Sequence, residues 1–489
     1  CRIGWLLAAG MGVMIVGMPP GSVRAADSPV VVPRYVGVNS CAAANCHGGD
    51  GTGHRWTSSY SVWIQRDTHA RAFSTLHGKA SRAIVQALGW KQPAHQAVAC
   101  LNCHALPAPA DGGTGHLPQL ASDGVSCEAC HGPAGRWLPL HVRKGWAETR
   151  RRTTDQELWS RLGFVNTENI QFRARVCAGC HVGGPGRDVN HDLIAAGHPR
   201  LNFELSNFHA NLPGHWDDMA DRKRHAGQVS KPEGTLRELK LWAVGQVETL
   251  RARAVLSRWR AGTKSVPWPE LSETRCFSCH HDLGDARWRR EVARSTGRRP
   301  GQFPWAGWER PAVGTLQILK PVAAGDKLLS VLDRVDKITR PVAPDREALQ
   351  QQTIILVRQL EEWSNRLAGH RFSVKDLDAL ARRLVAVSKK PFGLTDWDQA
   401  AQLYLALSSI QVAQREATNL DDGRRRAVDR ALRDALPVMR TVLQFPDGHD
   451  SAGQFRGPVR DGGLPGGLKR FQTETKKIRA TLVDNGGKE

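Results

Sequence analysis

Ten cysteines of this chain fall into five local pairs, and each pair is followed at once by histidine. The segments are Cys41-Ala-Ala-Ala-Asn-Cys46-His47, Cys100-Leu-Asn-Cys103-His104, Cys127-Glu-Ala-Cys130-His131, Cys177-Ala-Gly-Cys180-His181 and Cys276-Phe-Ser-Cys279-His280. Two thiols on one short turn can add to the two vinyl groups of a porphyrin edge. The next residue then lies beneath the ring, where its imidazole binds iron. The pattern predicts five covalent c-type haems, tethered by these ten cysteines, with His47, His104, His131, His181 and His280 as proximal ligands. The first pair has four intervening residues instead of two, a longer but workable tether.

Other uses of paired cysteine explain less. Zinc ribbons need four ligands per metal, so five pairs leave one unmatched and the adjacent histidine without a role. Local disulfides or thioredoxin-like pairs need no histidine at a fixed place after the second sulfur. Seventeen of the 19 histidines lie between His47 and His281. Once five serve as proximal ligands, twelve remain in that region to give irons a second imidazole. Bis-histidine iron is coordinatively full, which suits electron transfer and blocks substrate binding.

Gly124-Val125-Ser126-Cys127-Glu128-Ala129-Cys130-His131-Gly132-Pro133 resembles the third haem motif of the cytochrome c554 family. These are multihaem electron carriers related in haem arrangement to hydroxylamine oxidoreductase and cytochrome c nitrite reductase. The family carries a distal histidine ten residues after the third proximal one, where His141 stands, and a Trp followed by His-Ala-x-Ala, matched by Trp63 and His69-Ala70-Arg71-Ala72. A further distal histidine follows the fourth motif in the family, and by order His198 takes that role. The likeness spans about residues 36–215. It departs from the family in the Cys41 tether, a longer interval from His47 to His69, the fifth motif and a long C-terminal extension. In the family the second haem can be five-coordinate. Here His95, His116 or a more distant imidazole could fill the corresponding position, or the iron could stay open to a ligand such as nitric oxide. For the fifth haem His215 ranks ahead of His191, His209 and His54, and His281 suits a supporting or neighbouring role.

The N-terminus has a separate signature. Arg2 precedes an apolar run from Ile3 to Met18, Pro19-Pro20-Gly21 breaks it, and Val23-Arg24-Ala25 offers small residues for cleavage. Residues 1–26 therefore read as a signal peptide, which implies a periplasmic or exported protein without a membrane span after cleavage. A retained anchor is the rival, although the run falls short of the roughly 20 residues a span requires. Cys1 stands where Met would begin a chain and is assigned no role. The formal net charge of +21 becomes +19 when Arg2 and Arg24 are removed. Five haems would add ten carboxylates, so basic side chains have an internal use, and nucleic-acid binding is not expected.

The fold class expected is mainly α, with a loop-rich multihaem cytochrome c domain over residues 27–310 followed by a helical bundle over 311–445 and a flexible tail over 446–489. Helices are predicted over Ser61 to Leu88, carrying His69, and over Thr235 to Arg260. The last 179 residues lack cysteine, and apolar periodicity recurs in Glu347 to Leu367, Val374 to Val387, Asp396 to Val412 and Arg424 to Leu443. Thirteen tryptophans between residues 27 and 308 are expected to pack against porphyrin faces. The expected function is an electron carrier between redox-partner proteins rather than an enzyme. The competing class is oxidation or reduction of nitric oxide, hydroxylamine or nitrite at one five-coordinate haem.

Overall fold

The computed structural model describes residues 34–52, 54–106, 118–217, 236–276, 279, 297–299, 302, 304–387, 397–417, 423–443 and 466–484. The protein is mainly helical, and its described extended pairing is a single bridge between Gly184 and Arg187. Among the described residues eight helices have twelve residues or more: α1 Ile170–His181, α2 Arg237–Gly262, α3 Asp326–Ile338, α4 Arg346–Gly369, α5 Val374–Val387, α6 Trp397–Glu416, α7 Gly423–Leu443 and α8 Gly466–Asp484.

Helices before α1 are short because the sequence interrupts them. The stretch expected to form one helix from Ser61 to Leu88 divides into Ser59–Arg66, a 3-10 turn Thr68–Arg71, Ala72–Thr75 and Lys79–Ala87. Asp67 takes an extended conformation, and its carboxylate accepts the backbone N–H of His69. A short acid that can cap the next turn competes with continuation of the helix. Gly78, also extended, starts the last piece.

α2 is buried on nearly every side, which makes it a central rod rather than a surface helix. Leu239, Trp242, Val247, Leu250 and Ala254 belong to one apolar core that also contains Leu356, Leu360, Trp363, Leu380, Leu407, Leu432 and Met439. Although the sequence groups α2 with the cysteine-rich region, its apolar packing is shared with the C-terminal helices. Two buried arginines of α2 are paired: Arg253 with Glu309 at 2.8 Å, and Arg260 with Glu273 at 2.8 Å and with Asp188.

The tail also differs from expectation. Residues 466–484 form α8, which buries Phe471, Thr475, Ile478 and Leu482. Their spacing places them on one helical face. Glycine-rich sequence on the N-terminal side obscured that periodicity.

α1 connects the two parts of the fold. It packs along α2, its Gln171 side chain donates to Ser364 and Asn365 of α4, and Arg175 makes two hydrogen bonds of 3.0 Å to Glu248 of α2. The C-terminal end of α1 is the motif Cys177-Ala-Gly-Cys180-His181. The apolar rod thereby fixes one of the candidate haem sites.

Candidate haem-binding cavity

Four of the five cysteine-histidine motifs converge on one cavity of about 1320 Å³. This exceeds the roughly 300–1,000 Å³ of an ordinary small-molecule pocket. His47, His104, His131 and His181 line it, and so do His69, His141, His198 and His215. Trp63, Trp137 and Trp159 also reach it, whereas Trp242, Trp305 and Trp363 lie in the protein core.

Three imidazole pairs have a common separation. Ring centroids are 6.3 Å apart for His47 and His141, 6.0 Å for His69 and His181, and 6.5 Å for His104 and His198. An iron between two imidazoles demands about 6 Å, because each metal–nitrogen bond is about 2 Å and the ring centre lies roughly 1 Å farther on. The rings are nearly parallel in the first pair, at 10°, and crossed in the others, at 76° and 88°. A fourth distal candidate, His215, lies near His131. His215 is the foremost charged neighbour of His131, whose burial pulls its pKa down to about 4. Burial does the same to His181, again to about 4. Both imidazoles are thereby kept in the neutral form that binds metal.

Hydrogen bonds at Nδ1 orient six of these rings. His47 Nδ1 contacts the Trp56 carbonyl at 2.8 Å, His104 that of Ala72 at 3.0 Å, His141 that of Leu138 at 2.6 Å, His198 that of Pro199 at 2.8 Å and His215 that of Pro213 at 3.2 Å. His69 Nδ1 instead faces the Asp67 carboxylate at 2.9 Å. A carbonyl or carboxylate partner fixes the proton on Nδ1 and leaves Nε2 free as the ligand atom. His209 and His370 have the opposite arrangement. Their Nε2 atoms are engaged by Arg173 at 2.7 Å and by Asp376 at 3.2 Å.

The segment His69-Ala70-Arg71-Ala72 has three structural uses. It supplies His69, braces His104 through the Ala72 carbonyl, and accepts the Val125 N–H at the His69 carbonyl, 3.1 Å away. Gly124 adopts φ +66°, and a Cβ there would sit 2.8 Å from that carbonyl, so only glycine permits the approach. Gly132, directly after His131, has φ +80°, and a Cβ would meet the Gly163 carbonyl at 2.0 Å. Trp63 closes the arrangement by donating from its indole to the Val125 carbonyl at 3.1 Å. The third motif also holds the entry to the first. Glu128 accepts from the backbone of Val36, Gly37 and Ala134 at 3.1, 2.8 and 2.7 Å.

Thiol contacts order the motifs in space. Cys41 lies against Cys127, Cys130 is near Cys177 and Cys180, and Cys180 lies against Cys103. The sequence of neighbours is first, third, fourth, second. None of the ten cysteines that follow residue 40 forms a disulfide. Among the described residues, no three His, Cys, Asp or Glu side chains gather as a mononuclear metal site would require.

Cationic groups reach the same space. Arg173 and Arg187 line the cavity, and neither forms an ion pair with a carboxylate among the described contacts, whereas Arg175 is paired with Glu248 and Glu361. Such groups fit propionate carboxylates. The imidazole separations, the freed Nε2 atoms and these arginines all suit haem.

The fifth motif is described only in part. Cys276 is partly buried, with Arg200 and Asp398 as neighbours, and Cys279 is exposed. His280, His281 and His116 lie outside the described residues. His95 stacks on His77 at 4.2 Å and does not line the cavity. His215, ranked first for the fifth haem from sequence, instead shares the cavity with His131, and His198 faces the second proximal ligand. Sequence order conveys which histidines are spare but not which ring each one opposes. Sequence reading also missed Asp67 and Glu128 as supports, although an acid two residues before His69 and another inside the third motif were visible signals.

No curated protein and no solved structure matches the chain. Residues 41–132 match the family model described as cytochrome c554 and c-prime. That segment contains the first three motifs, His69 and the glycines discussed above. Among the described residues no helix is long and apolar enough to cross a membrane. Over residues 41–132 the chain is similar to the cytochrome c554 family, and this likeness supports a c-type cytochrome with covalently bound haem c in electron transfer.

Proposed function

We propose that the chain is an exported pentahaem cytochrome c that passes electrons between redox-partner proteins through closely packed bis-histidine haems. The observation that carries this reading is the set of three imidazole pairs 6.0–6.5 Å apart. The axial pairs are His47 with His141, His104 with His198, His131 with His215 and His181 with His69. Haem supplies reversible one-electron chemistry at iron. The chain supplies the thioether tethers Cys41 and Cys46, Cys100 and Cys103, Cys127 and Cys130, Cys177 and Cys180, and Cys276 and Cys279. It also supplies the oriented imidazoles, the Arg173 and Arg187 guanidiniums for propionates, and a first, third, fourth, second order of neighbouring sites.

For the fifth site, with proximal ligand His280, His191 replaces His215 as the preferred distal ligand. Its backbone N–H donates at 2.9 Å to Glu270, in the turn that leads to Cys276. The signal peptide over residues 1–26 and the periplasmic or exported location complete the reading.

The position of His198 opposite His104 bears on the enzymatic alternative, because an open iron at the second motif would be the site for a small nitrogen species. Low-temperature EPR of the oxidised, matured protein with and without nitric oxide tests this directly. The expected spectrum at the four cavity sites is low-spin and unreactive, and His198→Ala converts one of these irons to a high-spin, nitric-oxide-binding form. A nitric-oxide-reactive iron already present in the wild type and unaffected by His198→Ala would overturn the reading in favour of small-molecule oxidoreduction. Intact mass after maturation checks the count of five.

A further inference from the structure

The six cavity-lining candidate ligands with a seen Nδ1 contact divide five to one. Backbone carbonyls, which are neutral, face His47, His104, His141, His198 and His215. A carboxylate faces His69. Asp67 is 5% exposed, and its Oδ1 accepts both the Nδ1–H of His69 at 2.9 Å and the His69 backbone N–H at 3.0 Å. The side chain cannot turn away without losing both bonds. No lysine or arginine pairs with it among the described residues.

Two physical effects act in the same direction. A carboxylate that accepts Nδ1–H draws that proton toward itself and gives the ring imidazolate character, so Nε2 becomes a stronger donor to iron. A buried negative charge close to iron also favours the ferric over the ferrous state. Carbonyl partners produce the first effect weakly and carry no full charge.

We propose that Asp67 is a potential-setting residue, which makes the haem held between His181 and His69 the hardest of the four cavity haems to reduce. This rests on the axial pairing given above. In the order of neighbouring motifs the fourth lies between the third and the second. Electrons therefore cross this site and reside on those flanking it.

The test is an EPR-monitored redox titration of the full-length holoprotein and its variants. His69→Ala identifies the signal, since the low-spin component it removes belongs to this site; if none is lost, the axial pairing itself is wrong. In the wild type that component must be the last of the cavity signals to disappear on stepwise reduction. Asp67→Asn, which keeps an acceptor but removes the charge, should leave the site low-spin and raise its ferrous-to-ferric ratio at a given potential about tenfold, equivalent to about 59 mV for one electron. Asp67→Glu should restore most of the shift. The inference is overturned if another cavity signal disappears last, if Asp67→Asn leaves every midpoint unchanged, or if Asp67→Glu shifts the midpoint as far as Asp67→Asn does.

Discussion

Glu128 offers the sharpest test of how the cavity is assembled. Its carboxylate is 2% exposed and serves three backbone donors, Val36, Gly37 and Ala134, that have no alternative acceptor if the side chain is truncated. Hydrogen bonds to a charged group contribute about 1.5–3 kcal/mol each, and an orphaned buried donor costs about 1–3 kcal/mol. Water entering the vacated space would recover part of this, so Glu128→Ala should destabilise the local structure by about 3–5 kcal/mol. Glu128→Gln keeps the shape but aims an amide N–H at one of the donors, and should cost about half as much. Global unfolding of so long a chain need not be two-state, so the readout is amide hydrogen exchange at Gly37 and Ala134. At 1.4 kcal/mol per factor of ten, protection there should fall about a thousandfold in Glu128→Ala. Protection within tenfold of the wild type at both amides would refute the view that this acid clasps the first motif to the third.

Two further predictions concern buried charge. Burial pushes the Glu204 carboxyl up to about 7 against the N–H groups of Asn207 and Ser206, with Glu238 adding to the rise. Between its ordinary value near 4.5 and about 7 the unfolded chain releases this proton and the folded one retains it, so its contribution is full below 4.5 and is lost as pH rises through 7. Glu204→Gln should therefore be more stable relative to the wild type at pH 8 than at pH 4.5, by on the order of 3 kcal/mol, and parallel Tm–pH curves would disprove this. Arg253 and Glu309, 7% and 2% exposed and 2.8 Å apart, form a pair in which removing one partner should cost about 3–5 kcal/mol. Arg253→Met combined with Glu309→Leu should recover most of that loss in thermal unfolding, and a double variant as unstable as Arg253→Ala would contradict the account.

The chemistry of the site was more legible than its wiring. A cysteine pair followed by histidine specifies tether and ligand within a few residues, so all five motifs could be read from the sequence, and the structure brings four of them to one cavity. The resemblance singled out His69 and His141 as distal candidates, and both line the same cavity as the proximal histidines. The partners of His198 and His215 depend on how loops of some 20 to 90 residues return to the cavity, and no local pattern encodes that. Helix α2 illustrates a second limit. Its periodicity was plain, but apolar residues on all sides do not reveal which neighbours they meet, and the C-terminal helices were the answer. Helix α8 was missed because a glycine-rich stretch precedes a short apolar stripe whose members, Phe471, Ile478 and Leu482, are separated by seven and four positions.

The anchoring of α1 has a modular consequence. A chain ending at residue 310 would retain every cysteine-histidine motif, yet it would lose Ser364, Asn365 and Glu361, to which Gln171 and Arg175 are fastened. The thiols at Cys177 and Cys180 would then stand on a helix stripped of half its foundation. The cysteine-free portion is in this sense a chassis for the fourth cysteine-histidine motif.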